Sequence, residues 1–189
     1  QTTGQNSISQ TLTNTSNLTQ TVEYTVTPTS GAGGNCVGAT FLLTVQVDPK
    51  PTLSAIASQT ICGGSVFETP TLVSDTPGES YTWVLTNTSI PAHITSYPTP
   101  SGNGNFIGAV IQNSGTDAYT LIYDVTVDFN GCVGNTVPFS ITVEPAPTVV
   151  FDVLDQSVCS GGTSTEINLD SDTSPVNISW SIDSSLYGD

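Results

Sequence analysis

Basic side chains are almost absent from this 189-residue sequence, which has a single Lys and no Arg against 16 acidic residues. The formal net charge is −15 at pH 7. Proteins bind nucleic acids and anionic lipids mainly through Lys and Arg side chains that neutralise phosphate. The composition therefore excludes nucleic acid as a partner, and in a secreted polymer the same acidity would favour solubility.

Catalytic side chains are also scarce. His93 is the only histidine, and Lys50 is the only cation. Nucleophilic triads and zinc sites need several converging groups, which one His and one Lys do not supply. The sequence therefore predicts a protein that is not an enzyme and has no cofactor-binding residues. Neither end has the pattern of a signal peptide or a transmembrane segment.

Long helix-forming stretches are missing, and Thr, Ser, Asn, Gly and Val dominate, which favours strands and turns. In residues 137–144, Val137, Phe139, Ile141 and Val143 alternate with polar or solvent-facing residues, as in a strand with one buried face. The turn sequence "DFNG" precedes this run. We therefore expect an antiparallel hairpin, and the predicted strands of the unit are 52–58, 65–73, 80–86, 105–112, 119–128 and 136–144.

One passage of the sequence occurs twice. "NCVGATFLLTVQVDPKPT" at 35–52 matches "GCVGNTVPFSITVEPAPT" at 131–148 without a gap. Cys62 and Cys159 are separated by 97 residues (159 − 62 = 97), as are the two tryptophans. A fixed period of this kind indicates an array of structurally alike units.

The period divides the chain into three parts. Residues 1–48 correspond to the C-terminal half of a unit, 49–145 to a complete unit, and 146–189 to the N-terminal half of the next. Several short strands in each unit predict an all-β fold of tandem, immunoglobulin-like antiparallel β-sandwiches arranged end to end. We expect the chain to be part of a longer protein.

Aromatic residues at equivalent positions are the predicted core anchors of the units. Equivalent positions should be buried alike, so Phe41 should resemble Phe139 in its surroundings, and the two tryptophans should resemble each other. An exposed, sugar-stacking tryptophan is the alternative. The predicted anchors are Trp83, Trp180, Tyr24 and Tyr123.

The units are joined by "VDPKPT" and "VEPAPT". Two prolines separated by one residue fix φ at two positions and bias the preceding residues toward extended geometry. The linkers should therefore be short and stiff and hold the units in a rod. The linker prolines are Pro49, Pro51, Pro145 and Pro147.

The segments "TICGGS", "YTW", "QTLTNTSNLTQTVEYTVTP", "GCVG" and "ITVEPAPT" together resemble the PKD-like, immunoglobulin-like repeats of giant surface proteins from Bacteroidota. Among these, the chain is most similar to the gliding-motility adhesins of flavobacteria, which the type IX secretion pathway exports. The "FGDG" stretch of ordinary PKD domains is absent after Trp83, where "VLTN" stands, so the resemblance is to the PKD-like branch.

The resemblance implies an extracellular, outer-membrane-associated location on the cell surface. It also implies neighbouring repeats, an outer-membrane anchoring and transport machinery, and surface glycans or a substratum as partners. No catalytic or ligand-binding residues follow from it.

An extracellular chain with two cysteines in each repeat is expected to form disulfides. One pairing joins Cys62 to Cys132 within a unit, although an immunoglobulin-type topology puts these residues at opposite ends. The other joins each Cys62-type residue to the Cys132-type residue of the following unit. Both stay open at the level of sequence. The candidates are Cys36, Cys62, Cys132 and Cys159.

Four carboxylates, Asp48, Glu144, Asp152 and Asp155, lie close to the linkers, where they could collect Ca²⁺. No dense calcium-binding motif surrounds them, and solvated strand-end acids are the alternative.

The sequence therefore predicts a structural and adhesive repeat segment of a long cell-surface filament that extends a binding region from the cell. A non-catalytic carbohydrate-binding or spacer module of a secreted polysaccharide-degrading enzyme is the competing prediction.

Overall fold

The computed structural model describes residues 7–31, 33–106, 108–152 and 155–182, which contain strands and no helix. None of these residues belongs to a helix that could cross a lipid bilayer. The strands are β1 (Gln20–Val26), β2 (Phe41–Val47), β3 (Gln59–Cys62), β4 (Ser80–Leu85), β5 (Ile94–Thr95), β6 (Ser101–Asn103), β7 (Gln112–Asn113), β8 (Tyr119–Phe129), β9 (Cys132–Glu144), β10 (Val149–Phe151) and β11 (Leu169–Ser171).

A five-stranded sheet with the order β3-β9-β8-β4-β6 forms one layer of the central unit. Its longest strands, β8 and β9, are the hairpin that the alternating pattern predicts, with Tyr123 opposite Phe139. The turn is Asn130–Gly131, with φ angles of 51° and 87°. An Asn-Gly pair tolerates positive φ at both positions, which a tight two-residue hairpin turn requires.

The second layer consists of β5 and β7 together with isolated bridges that join Leu53 to Ser74 and Val66 to Val110. Between the layers, the Trp83 ring stacks on Phe106 at a centroid distance of 4.7 Å, and Tyr123 meets Phe106 edge-on at 5.3 Å. Inward-facing side chains of both layers form one continuous core. The prediction of an all-β sandwich is confirmed.

Three predicted strands differ in the structure. Strand 52–58 is wrong in position, because the chain makes a bridge at Leu53 and then forms β3, which pairs with β9 in parallel. Segments 65–73 and 105–112 are joined by an isolated bridge from Val66 to Val110, and Gln112 begins β7. Pro70 cannot donate a ladder hydrogen bond, and Gly108 approaches the Phe67 carbonyl so closely that an added Cβ would lie 3.3 Å from it.

The backbone pairing of the first hairpin is the same as that of the central one. In β1–β2, Tyr24 lies opposite Leu43, and in β8–β9 the counterparts Tyr123 and Phe139 lie opposite each other. All seven pairs of β1–β2 recur in this way in β8–β9. The third part agrees, since Val149 opposite Ser171 in β10–β11 matches the bridge from Leu53 to Ser74.

Equivalent side chains nevertheless have unlike surroundings. Trp83 is 5% exposed and Trp180 is 80% exposed, while Phe139 is 1% exposed and Phe41 is 57% exposed. The expectation of equal burial is therefore wrong, and Phe41 is in fact the register counterpart of Val137.

The physical reason is that β1–β2 and β10–β11 each form half of a sandwich. Trp83 is covered by Gly102, Phe106 and Tyr123, whose counterparts 97 residues later would fall after residue 189. Trp180 is thus not a core residue in this structure, and Tyr24 is only half-buried. The predicted boundaries of the three parts stay a prediction.

Candidate functional site at the junction between units

The first linker is packed into the protein. Pro49 and Pro51 are fully buried. The Pro51 carbonyl approaches Gly134 so closely that an added Cβ there would overlap its oxygen and would lie 2.5 Å from Cγ1 of Val127. Only glycine leaves room for this approach, which explains the second glycine of "GCVG".

Asp48 connects the end of the first hairpin to the turn of the next unit. Its Oδ1 accepts a hydrogen bond of 2.6 Å from Oγ1 of Thr19, beside β1. Its Oδ2 accepts one of 3.2 Å from Nδ2 of Asn130, in the β8–β9 turn. A single carboxylate therefore contacts both units at the junction.

Asp75 adds a second connection. The backbone N–H of Thr52 donates to its Oδ1 (2.7 Å), and Nδ2 of Asn17 donates to its carbonyl oxygen (2.9 Å). The hydrogen bond from the Thr52 backbone lowers the pKa of the Asp75 carboxyl, because it stabilises the charged form.

The same contact recurs one repeat later. The Thr148 backbone N–H donates to Oδ1 of Asp172 at 2.8 Å, and the Thr148 hydroxyl donates to Oδ2. The hydroxyl contact and the backbone contact lower the pKa of Asp172. The aspartate of the repeated "SDT" motif therefore holds the threonine that follows each linker, Thr52 or Thr148.

In each hairpin, an asparagine side chain forms hydrogen bonds at the end away from the hairpin turn. In the central unit, Asn113 donates through Nδ2 to the carbonyls of Val143 (2.8 Å) and Asp117 (2.9 Å) and accepts from the N–H of Gly115 (3.0 Å). Sequence reasoning missed this residue, although aligning "QNSG" with "TNTS" would have indicated it.

Its counterpart in the first hairpin is Asn14. Asn14 donates to the carbonyls of Val47 (2.7 Å) and Leu18 (2.8 Å) and accepts from the N–H of Ser16 (2.9 Å). All three hydrogen bonds recur. The last strand of each unit is thus held at the end where the linker begins.

The second linker is less covered than the first. Pro145 is half-buried and Pro147 is exposed. The β8–β9 turn, which contains Asn130, packs beside the first linker. No described residue packs in the equivalent position beside the second linker.

The four predicted disulfide cysteines are free thiols in the structure. Cys62 lies opposite Glu144 at the end of β9, whereas Cys132 begins that strand. At about 3.3 Å per residue, the two are separated by about 40 Å, while bridged Cα atoms lie within about 7 Å. A bridge within the unit is therefore wrong. Pairing between successive units would join residues of which this chain holds one member only.

The predicted junction carboxylates do not assemble a metal site. Within the described ranges, no three His, Cys, Asp or Glu side chains are grouped so that they could hold an ion. Asp48 bonds to Thr19 and Asn130, and Asp152 accepts from Asn168 at 2.9 and 3.1 Å.

Two other residues that the sequence singled out are Trp83 and His93. The Trp83 ring is buried, so the sugar-stacking alternative is wrong for this residue. His93 lies in a turn and is half-buried, and its ring lies against Gly115, where an added Cβ would be 2.7 Å from Cδ2.

The chain is similar to one known domain family and to solved structures. A family model described as PKD-like domain matches residues 1–51 and 59–147. No curated protein matches significantly. Among solved structures, extracellular cadherin domains 1–4 of protocadherin gamma B7 are similar, with 15% identity and a TM-score of 0.35. That match covers 82% of this chain and 41% of the protocadherin chain.

Proposed function

Because the chain belongs to the PKD-like domain family, we propose that it is a structural and adhesive length of an extracellular filament in which such units follow one another in series. PKD-like domains are typically extracellular and non-catalytic. The proposal rests above all on the junction, where Asp48 bonds to residues on both sides and the linker prolines are buried.

The contacts at the junction favour a fixed orientation of successive units over a flexible connection between them. Buried prolines restrict the backbone, and hydrogen bonds from Asn17 and Asn130 restrict rotation of one unit on the next. The parallel course of β3 and β9 carries the chain from one end of the central unit to the other. Each unit would thus add its length to the filament.

The finer part of the proposal concerns the cell surface. The resemblance of the repeats to Bacteroidota surface proteins supports an adhesin that is exported by type IX secretion and takes part in gliding motility. An outer-membrane anchoring and transport machinery would hold its base, and surface glycans or a substratum would be bound at its far end. Motor-driven transport of a gripping filament would then move the cell.

The competing function is a spacer or carbohydrate-binding module of a secreted polysaccharide-degrading enzyme. A shallow groove lies beside residues 55–61 and 66–71, and no aromatic ring lines it. With Trp83 buried as well, glycan binding has no specific observation in its favour. We therefore keep the filament as the proposed function.

A chain with one extra unit tests the serial arrangement. Residues 53–148 are duplicated in tandem, so that Leu53 of the second copy follows Thr148 of the first. Small-angle X-ray scattering should show a maximum dimension about 40 Å greater than that of the 189-residue chain, the length of a strand such as β9 at about 3.3 Å per residue. An unchanged maximum dimension would mean that units fold back on each other and would overturn the proposal.

A second variant tests whether the Asp48 contact fixes the arrangement of the units, with the unchanged chain as its control. Asp48→Ala leaves both units intact but removes the acceptor for Thr19 and Asn130. We expect its scattering to show a broader range of dimensions at unchanged secondary structure. On intact cells of the source organism, antibodies to this chain should label filaments outside the outer membrane. Labelling only after lysis would contradict the surface location.

A further inference from the structure

The two cysteines of the central unit lie at opposite ends of the sandwich. Cys62 ends β3 and pairs in register with Glu144, the last residue of β9. Cys132 begins β9 and pairs with Phe129 across the hairpin turn. Cys62 is exposed and Cys132 is partly exposed, so both thiols are accessible.

The first junction brings these two kinds of end together. Asp48 is the counterpart of Glu144, because β1–β2 and β8–β9 share one register and "VDPKPT" aligns with "VEPAPT". A Cys62-type residue of a preceding unit would therefore lie beside Asp48. Asp48 itself contacts Asn130, two residues before Cys132. The contact thus places the cysteine-bearing end of one unit against the cysteine-bearing turn of the next.

We infer that Cys62 of each unit forms a disulfide with the Cys132-type residue of the unit that follows it. The inference rests on the proposed function, since it requires units in series. Two thiols become one Sγ–Sγ bond and release two protons and two electrons. The electrons reduce the disulfide of an exchange partner, a thiol–disulfide oxidoreductase or oxidised glutathione, to two thiols.

The bridge changes how an array carries tension. The linker joins the end of β9 to residues 52–62 of the next unit, and the bridge joins the end of β3 to the start of the next β9. Residues 52–62 and β9 each run the length of the sandwich in parallel. The filament then has two continuous covalent routes made of extended segments, linkers and bridges, and residues 63–131 of each unit lie outside both.

An array bridged in this way cannot lengthen when a unit unfolds. Without bridges, one unit of about 97 residues would stretch from about 40 Å to about 330 Å, since an extended chain spans about 3.3–3.6 Å per residue. With bridges, the covalent route through each unit is already extended. The rest of each sandwich would hold the two covalent routes in place, and the pulling force would pass through the routes alone.

The chain with residues 53–148 duplicated contains one such pair, Cys62 of the first copy and Cys132 of the second. A paired variant carries Cys132→Ser in the first copy and Cys62→Ser in the second. The matched control carries Cys62→Ser in the first copy and Cys132→Ser in the second, which leaves cysteines at ends that do not meet. Both variants are incubated with oxidised glutathione, which is reduced to two thiols for each bridge formed, and the free thiols of each variant are then counted.

We expect the paired variant to lose two thiols and to yield one cross-linked peptide in a non-reducing digest, and the control to lose none. Pulling single duplicated chains by their ends should give two lengthening steps of about 300 Å after reduction, and neither step after oxidation.

Two results overturn the bridge alone: an extended duplicated chain whose paired variant keeps all its thiols, or equal bridging in the control. A chain whose maximum dimension does not grow on duplication would instead refute the serial arrangement.

Discussion

The hairpins β8–β9 and β1–β2 have the same backbone and different surroundings. Both pair in the same register, and in both an asparagine side chain makes the same three hydrogen bonds at the end of the last strand. In the central unit a second layer covers the hairpin, so Phe139 is 1% exposed, whereas its counterpart Leu43 is 43% exposed. Pairing is therefore a property of the hairpin, and burial is a property of the complete sandwich.

The two tryptophans give the largest contrast. Trp83→Ala removes a ring that stacks on Phe106 and meets Tyr123, so it should lower the free energy of unfolding of the central unit by about 3–5 kcal/mol. Trp180→Ala in the same 189-residue chain should change it by less than about 0.5 kcal/mol, because the side chain is solvated. Urea unfolding followed by circular dichroism compares them. Similar losses for both would contradict the contrast.

The two asparagines should differ less. Asn113→Ala leaves the buried carbonyl of Val143 without its donor and should cost about 2 kcal/mol. Asn14→Ala removes the same bonds where water reaches the freed groups, so about 1 kcal/mol or less is expected. Hydrogen exchange at the end of β9 and of β2 measures both. A larger effect at Asn14 would mean that the first hairpin is covered in solution.

The equivalent tyrosines of the two hairpins, Tyr123 and Tyr24, allow the contribution of one buried and one exposed hydroxyl group to be compared. Tyr123→Phe removes a buried hydrogen bond of 2.8 Å to the Pro98 carbonyl and should cost about 1 kcal/mol. Tyr24→Phe removes an exposed bond of 2.9 Å to Gln10 and should cost less than about 0.5 kcal/mol. Thermal unfolding of the two variants measures the difference.

Alkaline pH provides a further check on Tyr123. Burial raises the pKa of its hydroxyl, so the neutral form is favoured in the folded state. Its contribution to stability is full below the unfolded pKa of about 10 and is lost as pH rises above it. The free energy of unfolding of Tyr123→Phe should therefore decrease less between about pH 9 and higher pH than that of the unchanged chain.

The smallest effect is expected at the repeated Thr–Asp contact. The pKa of Asp75 is lowered chiefly by the Thr52 backbone and that of Asp172 by the Thr148 hydroxyl. Stability from such a group is present above the unfolded pKa of about 3.9 and is lost as pH falls through the lower folded value. Asp75→Asn should reduce the loss of melting temperature between pH 7 and pH 2, and Asp172→Asn should do so less. An unchanged acid response in Asp75→Asn would contradict the assignment.

Much of the hairpin could be predicted because its determinants are local. Alternation along 119–128 and 136–144 determines which side chains share a face, and Asn-Gly at 130–131 determines the turn. The parallel pairing of β3 with β9 could not be predicted in this way, since it joins residues about 80 positions apart through short polar segments without strong alternation.

By itself, the sequence determined the all-β class, the repeat and the hairpin, because composition, strand alternation, turn residues and the repeated passage can all be read from the order of residues without knowing which distant segments meet. Tertiary structure alone decided that β3 pairs with β9 in parallel, that Cys62 and Cys132 lie at opposite ends, and that Asp48 contacts the turn of the next unit. Those features depend on which segments meet across the sandwich and across the junction, and these segments lie far apart in the sequence.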